Sequence, residues 1–298
     1  MNGRAAVFEK SSHDGRPPVI VSTMSDPEKP LIGPADAPYL HVMTYNLRSA
    51  TGQAPQSWWK RRPLVQGLIA RERPTVLCTQ EGRYRQLLEL RADLDGYDWI
   101  HLGRGGSSRS ESTAVFWESA RLAPVEYDHL WLSRHPNVVG SRSWGSRTVR
   151  MLTWIRFEDK ETGADFHIVD NHLDHRSERA QRKGAEINRD VVARFRSPAI
   201  VAGDFNCEPS SKPYKVLTGA RRHGAGLTDA WNLAEERLTP EWGTFNRWKT
   251  EPVEGKDRID WILVQSGVKV HQIGVNTYAA DGVTPSDHWP LQALVSLE

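Results

Sequence analysis

The stretch Pro198 to Pro209, PAIVAGDFNCEP, constrains the chain more than any other. Ala199, Ile200, Val201 and Ala202 form an apolar run too short for a helix, so they read as a buried strand. Gly203 ends the run and lets the backbone turn with no Cβ in the way. Asp204 and Asn206 follow at i, i+2, at the mouth of that strand. An anionic oxygen beside a neutral amide suits a hard divalent cation with a phosphate next to it. Taken alone, an Asx-rich turn after a strand is the commoner reading; the rest of the chain decides between them.

The same pattern recurs. Leu40–Leu47 is an apolar run ending near Asn46, and Thr75–Glu81 is a second one closing on Glu81. Between them, Ser57 caps a helix carrying Leu64, Val65, Leu68 and Ile69, which Pro74 stops. Tyr84–Leu94 reads as a helix with Leu87, Leu88 and Leu94 inward. Strands are expected at Ser112–Trp117 and Leu122–Leu132, and a hairpin from Met151–Phe157 and Ala164–Leu173 turning at Lys160–Gly163. Ser177 starts a helix through Phe195, with Ile187, Val191, Val192 and Phe195 on one face. A helix over Leu227–Glu236, a strand over Arg258–Val264 and a loop feeding a last strand over Ser286–Leu297 complete the reading. Strands recur throughout with helices between, and no repeat or mid-chain linker breaks them. One α/β domain over residues 39–298 is expected, preceded by a flexible tail over residues 1–38 that is rich in Pro, Gly, Ser and charge.

The totals exclude several classes. The 39 Lys plus Arg are nearly balanced by 37 Asp plus Glu, so no global field draws the chain to nucleic acid or an acidic membrane. The two cysteines, Cys78 and Cys207, make no zinc spacing and read as free buried thiols. The N-terminal MNGRAAVFEKSSHDG has no basic-then-apolar signal pattern and no run is long enough to span a membrane, so a cytoplasmic location is expected. The GRGGSSR loop, residues 103–109, lacks the GK[ST] ending of a phosphate-cradling loop and is a weak phosphate candidate.

Six strand ends present polar or acidic groups: Asn46, Glu81, His172, Asp204 with Asn206, Asp260, and Asp287 with His288. Carboxylates and amides gathered at one sheet edge make an oxygen-rich site for Mg²⁺ or Mn²⁺. The histidines add proton transfer near neutral pH.

These pieces, TYNLR, TQE, NHLDH, GDFN, RIDWI and SDHWP, stand in order from residue 44 to 290. In that order they resemble the endonuclease/exonuclease/phosphatase family, related to deoxyribonuclease I and the apurinic endonucleases. The resemblance implies a four-layer α/β sandwich, two packed and mainly antiparallel sheets with helices outside. It implies Glu81, with Asn46 and Asp287 nearby, as the divalent-metal site. It implies that Asp204 and Asn206 position or deprotonate the attacking water, while His172, and His288 oriented by Asp260, contact the scissile phosphate. NHLDH, with the WLS and GSR segments upstream, looks closest to a bacterial branch that includes sugar-phosphate phosphatases. Arg48 stands where some apurinic endonucleases carry a second acid, which argues against a second metal and abasic-site chemistry.

Arg150, just before a strand, is the phosphate-binding candidate. Asp174 and His175 either support the substrate site or cap the helix from Ser177. Trp144, Trp242 and Trp248, in loops, either stack on a substrate ring or anchor their loops. The expected activity is metal-dependent phosphoester hydrolysis by in-line attack of water on a mono- or diester. A small phosphorylated or nucleotide-like substrate is favoured, because a polynucleotide binder needs a basic track. A DNA or RNA nuclease is the alternative, and a non-catalytic binding protein on the same fold the second; no protein partner is evident.

Overall fold

Ala199–Ala202 is apolar at consecutive positions, and Leu40–Leu47, though it carries His41, Thr44 and Asn46, is buried throughout, the pattern of strands covered on both faces. The computed structural model describes residues 29–52, 56–219 and 226–298. In chain order its elements are β1 (Tyr39–Asn46), α1 (Trp58–Glu72), β2 (Val76–Arg83), α2 (Tyr84–Asp93), β3 (Tyr97–Gly103), β4 (Glu111–Glu118), β5 (Leu122–Trp131), β6 (Met151–Asp159), β7 (Asp165–His172), α3 (Glu178–Val192), β8 (Ala199–Asp204), α4 (Lys212–Thr218), β9 (Thr228–Asp229), α5 (Ala230–Leu233), β10 (Glu236–Arg237), β11 (Asp260–Val264), β12 (Val268–Val275) and β13 (Leu291–Leu297). Among the described residues they form a 7-stranded sheet, β10-β12-β13-β1-β2-β4-β3, and a 6-stranded sheet, β5-β6-β7-β8-β11-β9. β1/β2, β7/β8 and β10/β12 pair parallel and the remaining pairs antiparallel.

The strand alternation sorts side chains into layers. Leu40 and Val42 of β1 face Ile168, Ile200 and Ile262 between the sheets, while Met43 and Tyr45 face Leu68, Ile69, Leu87 and Leu90 of α1 and α2. On the far side Val169, Val201 and Leu263 meet Ala185, Val192 and Leu217 of α3 and α4. Each such side chain contributes about 1.5–3 kcal/mol by leaving water. This is the four-layer sandwich; β1 runs parallel to β2 and β7 parallel to β8, and the Asn46 Nδ2 bond to Asp204 Oδ2 at 2.9 Å brings the C-terminal ends of β1 and β8 together.

Several local expectations change. Leu88 is exposed, because the buried face of α2 runs through Leu87 and Leu90 instead. The α3 helix stops at Val192, and Phe195 lies beyond it, stacked on His167 with ring centroids 3.8 Å apart. The helix expected over Leu227–Glu236 is only the single turn of α5; the backbone after it leaves to pair with β12, the Glu235 N–H meeting the Val270 carbonyl at 3.2 Å. Strands β3 and β12 join the set, and a bulge between Val270 and Gln272 shifts the alternation of β12 midway. Gly203 does not end its strand. At φ +143 it sits within β8, where an added Cβ would stand 2.0 Å from the Asn171 carbonyl oxygen of β7, so glycine is needed for that close approach.

Of the tail, residues 1–28 lie outside the described residues. The part adjoining β1 is docked rather than loose: the N–H groups of Leu31, Ile32 and Gly33 donate to the buried Glu72 carboxylate at 2.8, 3.1 and 3.3 Å.

Candidate active site

Register places the acids. His172, Asp204 and Asp260 are Cα partners across β7, β8 and β11, so they form one row and point to one face. Two carboxylates side by side in a buried row repel. His288 lies against both, Nδ1 at 2.8 Å from Asp260 Oδ2 and Nε2 at 4.0 Å from Asp204 Oδ2. Its backbone is held by a bridge to Phe245. Burial opposes its charging, but Asp260, at contact and hydrogen-bonded, outweighs it and pushes the imidazole up to about 10. His288 is therefore an imidazolium at neutral pH.

Asp204 Oδ2 is the point of convergence. It accepts from Asn46 Nδ2 at 2.9 Å and lies 3.3 Å from His172 Nε2, while Oδ1 accepts the Asn206 N–H at 2.8 Å. Burial alone would raise its carboxyl, but the His172 hydrogen bond and the fields of His288 and Arg150 hold it well below the usual carboxylate range. Burial and the neighbouring Arg150 lower His172 to about 4, so it is neutral at pH 7. Asn206 adopts φ 52, and its amide donates to the Leu173 carbonyl at 3.2 Å.

The opposite sheet supplies the second half. A bulge between Thr79 and Gly82 leaves Glu81 at φ 63, a strained conformation that re-aims its carboxylate into the site. Glu81 Oε2 accepts the Ser49 N–H at 3.2 Å. Burial pushes Asp287 upward, and its Oδ1 is buried without a hydrogen-bond partner. The guanidinium of Arg48 lies between these carboxylates, 3.5 Å from Glu81 Oε2 and 3.6 Å from Asp287 Oδ2. A cation thus already lies against the two acids, and Asp287 Oδ1 is left without a hydrogen-bond partner; hard oxygen donors in this arrangement fit Mg²⁺ or Mn²⁺. Asn46 accepts the Arg48 N–H on its oxygen at 3.0 Å and turns its nitrogen toward Glu81 and Asp204. It braces both acids rather than offering its oxygen to a cation. Asp204, Asp260 and His288 also cluster tightly. His288 Nδ1 is already taken by Asp260, so that group shares a proton instead of holding a metal.

A cavity of about 600 Å³ opens over the row, lined by Arg48, Glu81, Arg150, Asp204, Asn206, Asp287 and His288. Its outer wall is Ser49, Thr51, Arg83, Arg104, Glu111 and Thr148. Arg150 is buried; it touches both ring nitrogens of His172 at 2.8 and 2.6 Å and His175 at 3.0 Å, and its Nε has no partner. No carboxylate lies in ion-pair contact with it among the described residues, which leaves a buried cation at the cavity wall suited to an anion.

Two expected substrate contacts lie elsewhere. Asp174 is absent from the cavity wall: Oδ1 accepts the Arg176 and Ser177 N–H groups at 2.8 and 2.6 Å and Oδ2 accepts Ser146 Oγ at 2.6 Å, so it braces the start of α3. Trp144 does not line the cavity either; its carbonyl receives Ser177 Oγ at 2.8 Å and its φ is 59, a loop anchor. The 103–109 loop closes on itself, with Gly103, Gly105 and Gly106 N–H groups all given to loop carbonyls, so it cradles no phosphate. It contributes Arg104 instead, paired with Glu111 at 2.7 Å. Arg83, Arg104 and Glu111 carry no motif in the sequence; only the β2–β4 and β3–β4 pairings bring them to the cavity.

A model of the endonuclease/exonuclease/phosphatase family matches residues 43–288. The fold is similar to an endonuclease/exonuclease/phosphatase of Bacteroides vulgatus, at 30% identity and TM-score 0.82 over 87% of this chain and 99% of that one. It is also similar to a mannosyl-6-phosphatase of Bacteroides thetaiotaomicron, at 28% identity and TM-score 0.77 over 87% of this chain and 100% of that one. By sequence the chain is similar to Nocturnin of Drosophila melanogaster, 23% identical over 246 residues, covering 76% of this chain. It spans only 36% of that relative's length.

Proposed function

The chain belongs to the endonuclease/exonuclease/phosphatase family of phosphoester hydrolases, and from that premise we propose that residues 39–298 act as one catalytic domain that hydrolyses a small phosphorylated molecule. The observation that carries this reading is the convergence of Asn46, His172 and His288 on Asp204 Oδ2, in a cavity that also presents the carboxylates of Glu81 and Asp287. Glu81 and Asp287 would hold a divalent cation, Mg²⁺ or Mn²⁺, which when bound supplies positive charge to the phosphoryl oxygens.

Asp204, ionised at neutral pH, accepts a proton of the attacking water, and the Asn206 amide fixes the water's approach. The bond from the water oxygen to phosphorus forms as the bond to the leaving oxygen breaks, in line and without a covalent intermediate, and the leaving oxygen takes a proton from solvent water to depart as the alcohol. The His288 imidazolium, held charged by Asp260, and Arg150 donate to the phosphoryl oxygens as negative charge grows on them. Neutral His172 donates from Nε2 to Asp204 and accepts from Arg150 on Nδ1, which orients both.

The shape and charge of the cavity support a small substrate. Of its four arginines Arg48 is paired with Glu81 and Asp287 and Arg104 with Glu111, while among the described residues Arg83 and Arg150 have no carboxylate partner; two such cations suit one phosphate group better than the longer basic track along which a polynucleotide would lie. Hydroxyls of Ser49, Thr51 and Thr148 line the outer part, where a polar leaving group such as a sugar would sit. The similarity to a mannosyl-6-phosphatase points the same way. Cys78 and Cys207 are unpaired, which suits the reducing cytoplasm expected for this chain; among the described residues no helix is long and apolar enough to cross a membrane.

The test is a comparison with Mg²⁺ or Mn²⁺ present. Phosphate release from a panel of sugar phosphates and nucleotides is set against cleavage of plasmid DNA and single-stranded RNA at several salt concentrations. Turnover of a small monoester is expected. Polynucleotide cleavage that falls steeply with salt, without small-ester turnover, would replace this reading with a nuclease.

A further inference from the structure

Arg61 lies inside α1 with no exposed surface, yet among the described residues no carboxylate is in ion-pair contact with it. Its donors go to backbone carbonyls: Nε to Gln56 at 3.0 Å, Nη1 to Leu47 and Pro285 at 2.8 Å each, and Nη2 to Arg48 at 3.0 Å. The guanidinium also lies 5.4 Å from the ring centres of both Trp58 and Trp248. A buried cation is costly unless its donors are met, and here oriented carbonyls and two aromatic faces meet them.

What those carbonyls belong to is informative. Leu47 and Arg48 directly follow Asn46 and precede Ser49, whose N–H holds Glu81. Pro285 stands two residues before Asp287. Glu81 and Asp287 come from opposite ends of the chain, and Arg61 ties together the loops that aim them. A parallel tie joins the same loops, with Ser286 Oγ donating to the Asn46 carbonyl at 2.6 Å. Trp248, on Asn246, adds the loop before β11, since Asn246 Nδ2 donates to the Ser286 carbonyl at 3.1 Å.

We propose that Arg61 is a positioning residue that sets the spacing of the Glu81 and Asp287 carboxylates and so tunes the site's affinity for a divalent cation. The inference rests on the cation reading given above. The planar fork is what makes the role specific to arginine: its five N–H groups diverge in fixed directions and bridge loops on two sides, whereas a lysine ammonium offers one compact centre. Groups that orient metal-binding side chains without touching the metal typically change affinity by about 10–100-fold when removed.

The experiment titrates the EDTA-stripped full chain with Mn²⁺ by calorimetry, for wild type, Arg61→Lys and Ser286→Ala, with thermal melts alongside. Arg61→Lys is expected to bind Mn²⁺ about ten-fold or more weakly, and to recover most of its kcat when Mn²⁺ is saturating. Ser286→Ala is expected to weaken binding in the same direction by less. Arg61→Lys that melts lower yet binds Mn²⁺ like wild type overturns the inference and leaves the cation reading standing. If Arg61→Lys does not fold, unchanged affinity in Ser286→Ala overturns it. A wild-type chain that binds no Mn²⁺ removes the cation reading and this inference together.

Discussion

His288 Nδ1 lies 2.8 Å from Asp260 Oδ2, both residues buried, and that contact determines the charge of the site. Because Asp260 pairs in register with Asp204, the imidazolium offsets one of the two carboxylate charges in the row, and Arg150 lies in reach of the Asp204 charge.

The first prediction concerns pH. Activity should fall on the alkaline side as His288 loses its proton near pH 10. In Asp260→Asn the field that raises the imidazole is gone, so that limb should move toward the ordinary histidine value of about 6.5. A kcat/KM profile against pH checks it; an unmoved alkaline limb in the variant would separate the limb from His288.

Stability follows the same ionisations with opposite signs. His288, raised in the folded state, stabilises fully below about pH 6.5 and loses that contribution as pH climbs through about 10. His172, lowered to about 4, works the other way: the unfolded chain takes up its proton first, so stability drops as pH falls from about 6.5 to 4. Melting temperatures of His172→Gln should show a flatter acid limb than wild type.

Asp204→Asn retains the shape of the side chain and removes its basic oxygen. The rate should fall by about 10²–10⁴-fold. His288→Ala and Asp260→Ala should be strongly non-additive in a double-mutant cycle, because each removes the same charged pair. Wild-type kcat in Asp204→Asn on a true substrate would unseat the assignment.

Chelation should abolish turnover, and Mg²⁺ or Mn²⁺ should restore it. Glu81→Gln keeps the volume but weakens the oxygen donor, so restoration should need much more cation. Full activity in EDTA would exclude the cation role assigned to Glu81 and Asp287.

Gly203→Ala tests the backbone beneath the site. The added Cβ meets the Asn171 carbonyl at 2.0 Å in a conformation, φ +143, that side chains avoid. A loss of about 3 kcal/mol is expected, which lowers Tm by roughly 6–12 °C. A Tm within 2 °C of wild type, by a rough allowance for measurement, would mean that β7 and β8 separate more easily than their packing implies.

Apolar run length and the residues that close each run were legible in the sequence. They located β1, β2, β4 to β8 and β11 and brought forward Asn46, Glu81, His172, Asp204, Asp260, Asp287 and His288 as candidates, because a strand buried on both faces has a local composition and a polar residue at its end interrupts it. What carried no local signal was anything set by register or by the meeting of distant loops. Asp260 could not be seen to stand opposite Asp204, and Glu81 could not be seen to owe its aim to a bulge at positive φ. For Asp174 the sequence left support of the substrate site and capping of the helix both open, and the Ser146 and Ser177 contacts make it a brace for the start of α3. Arg61, in the middle of WWKRRP, resembles any surface helix arginine; only packing against Trp248 and Pro285, nearly two hundred residues and more away along the chain, buries it. Local composition decides which residues can form strands and which chemistry they bring. The pairing of those strands decides which charges become neighbours, and burial then decides which of them keep their protons.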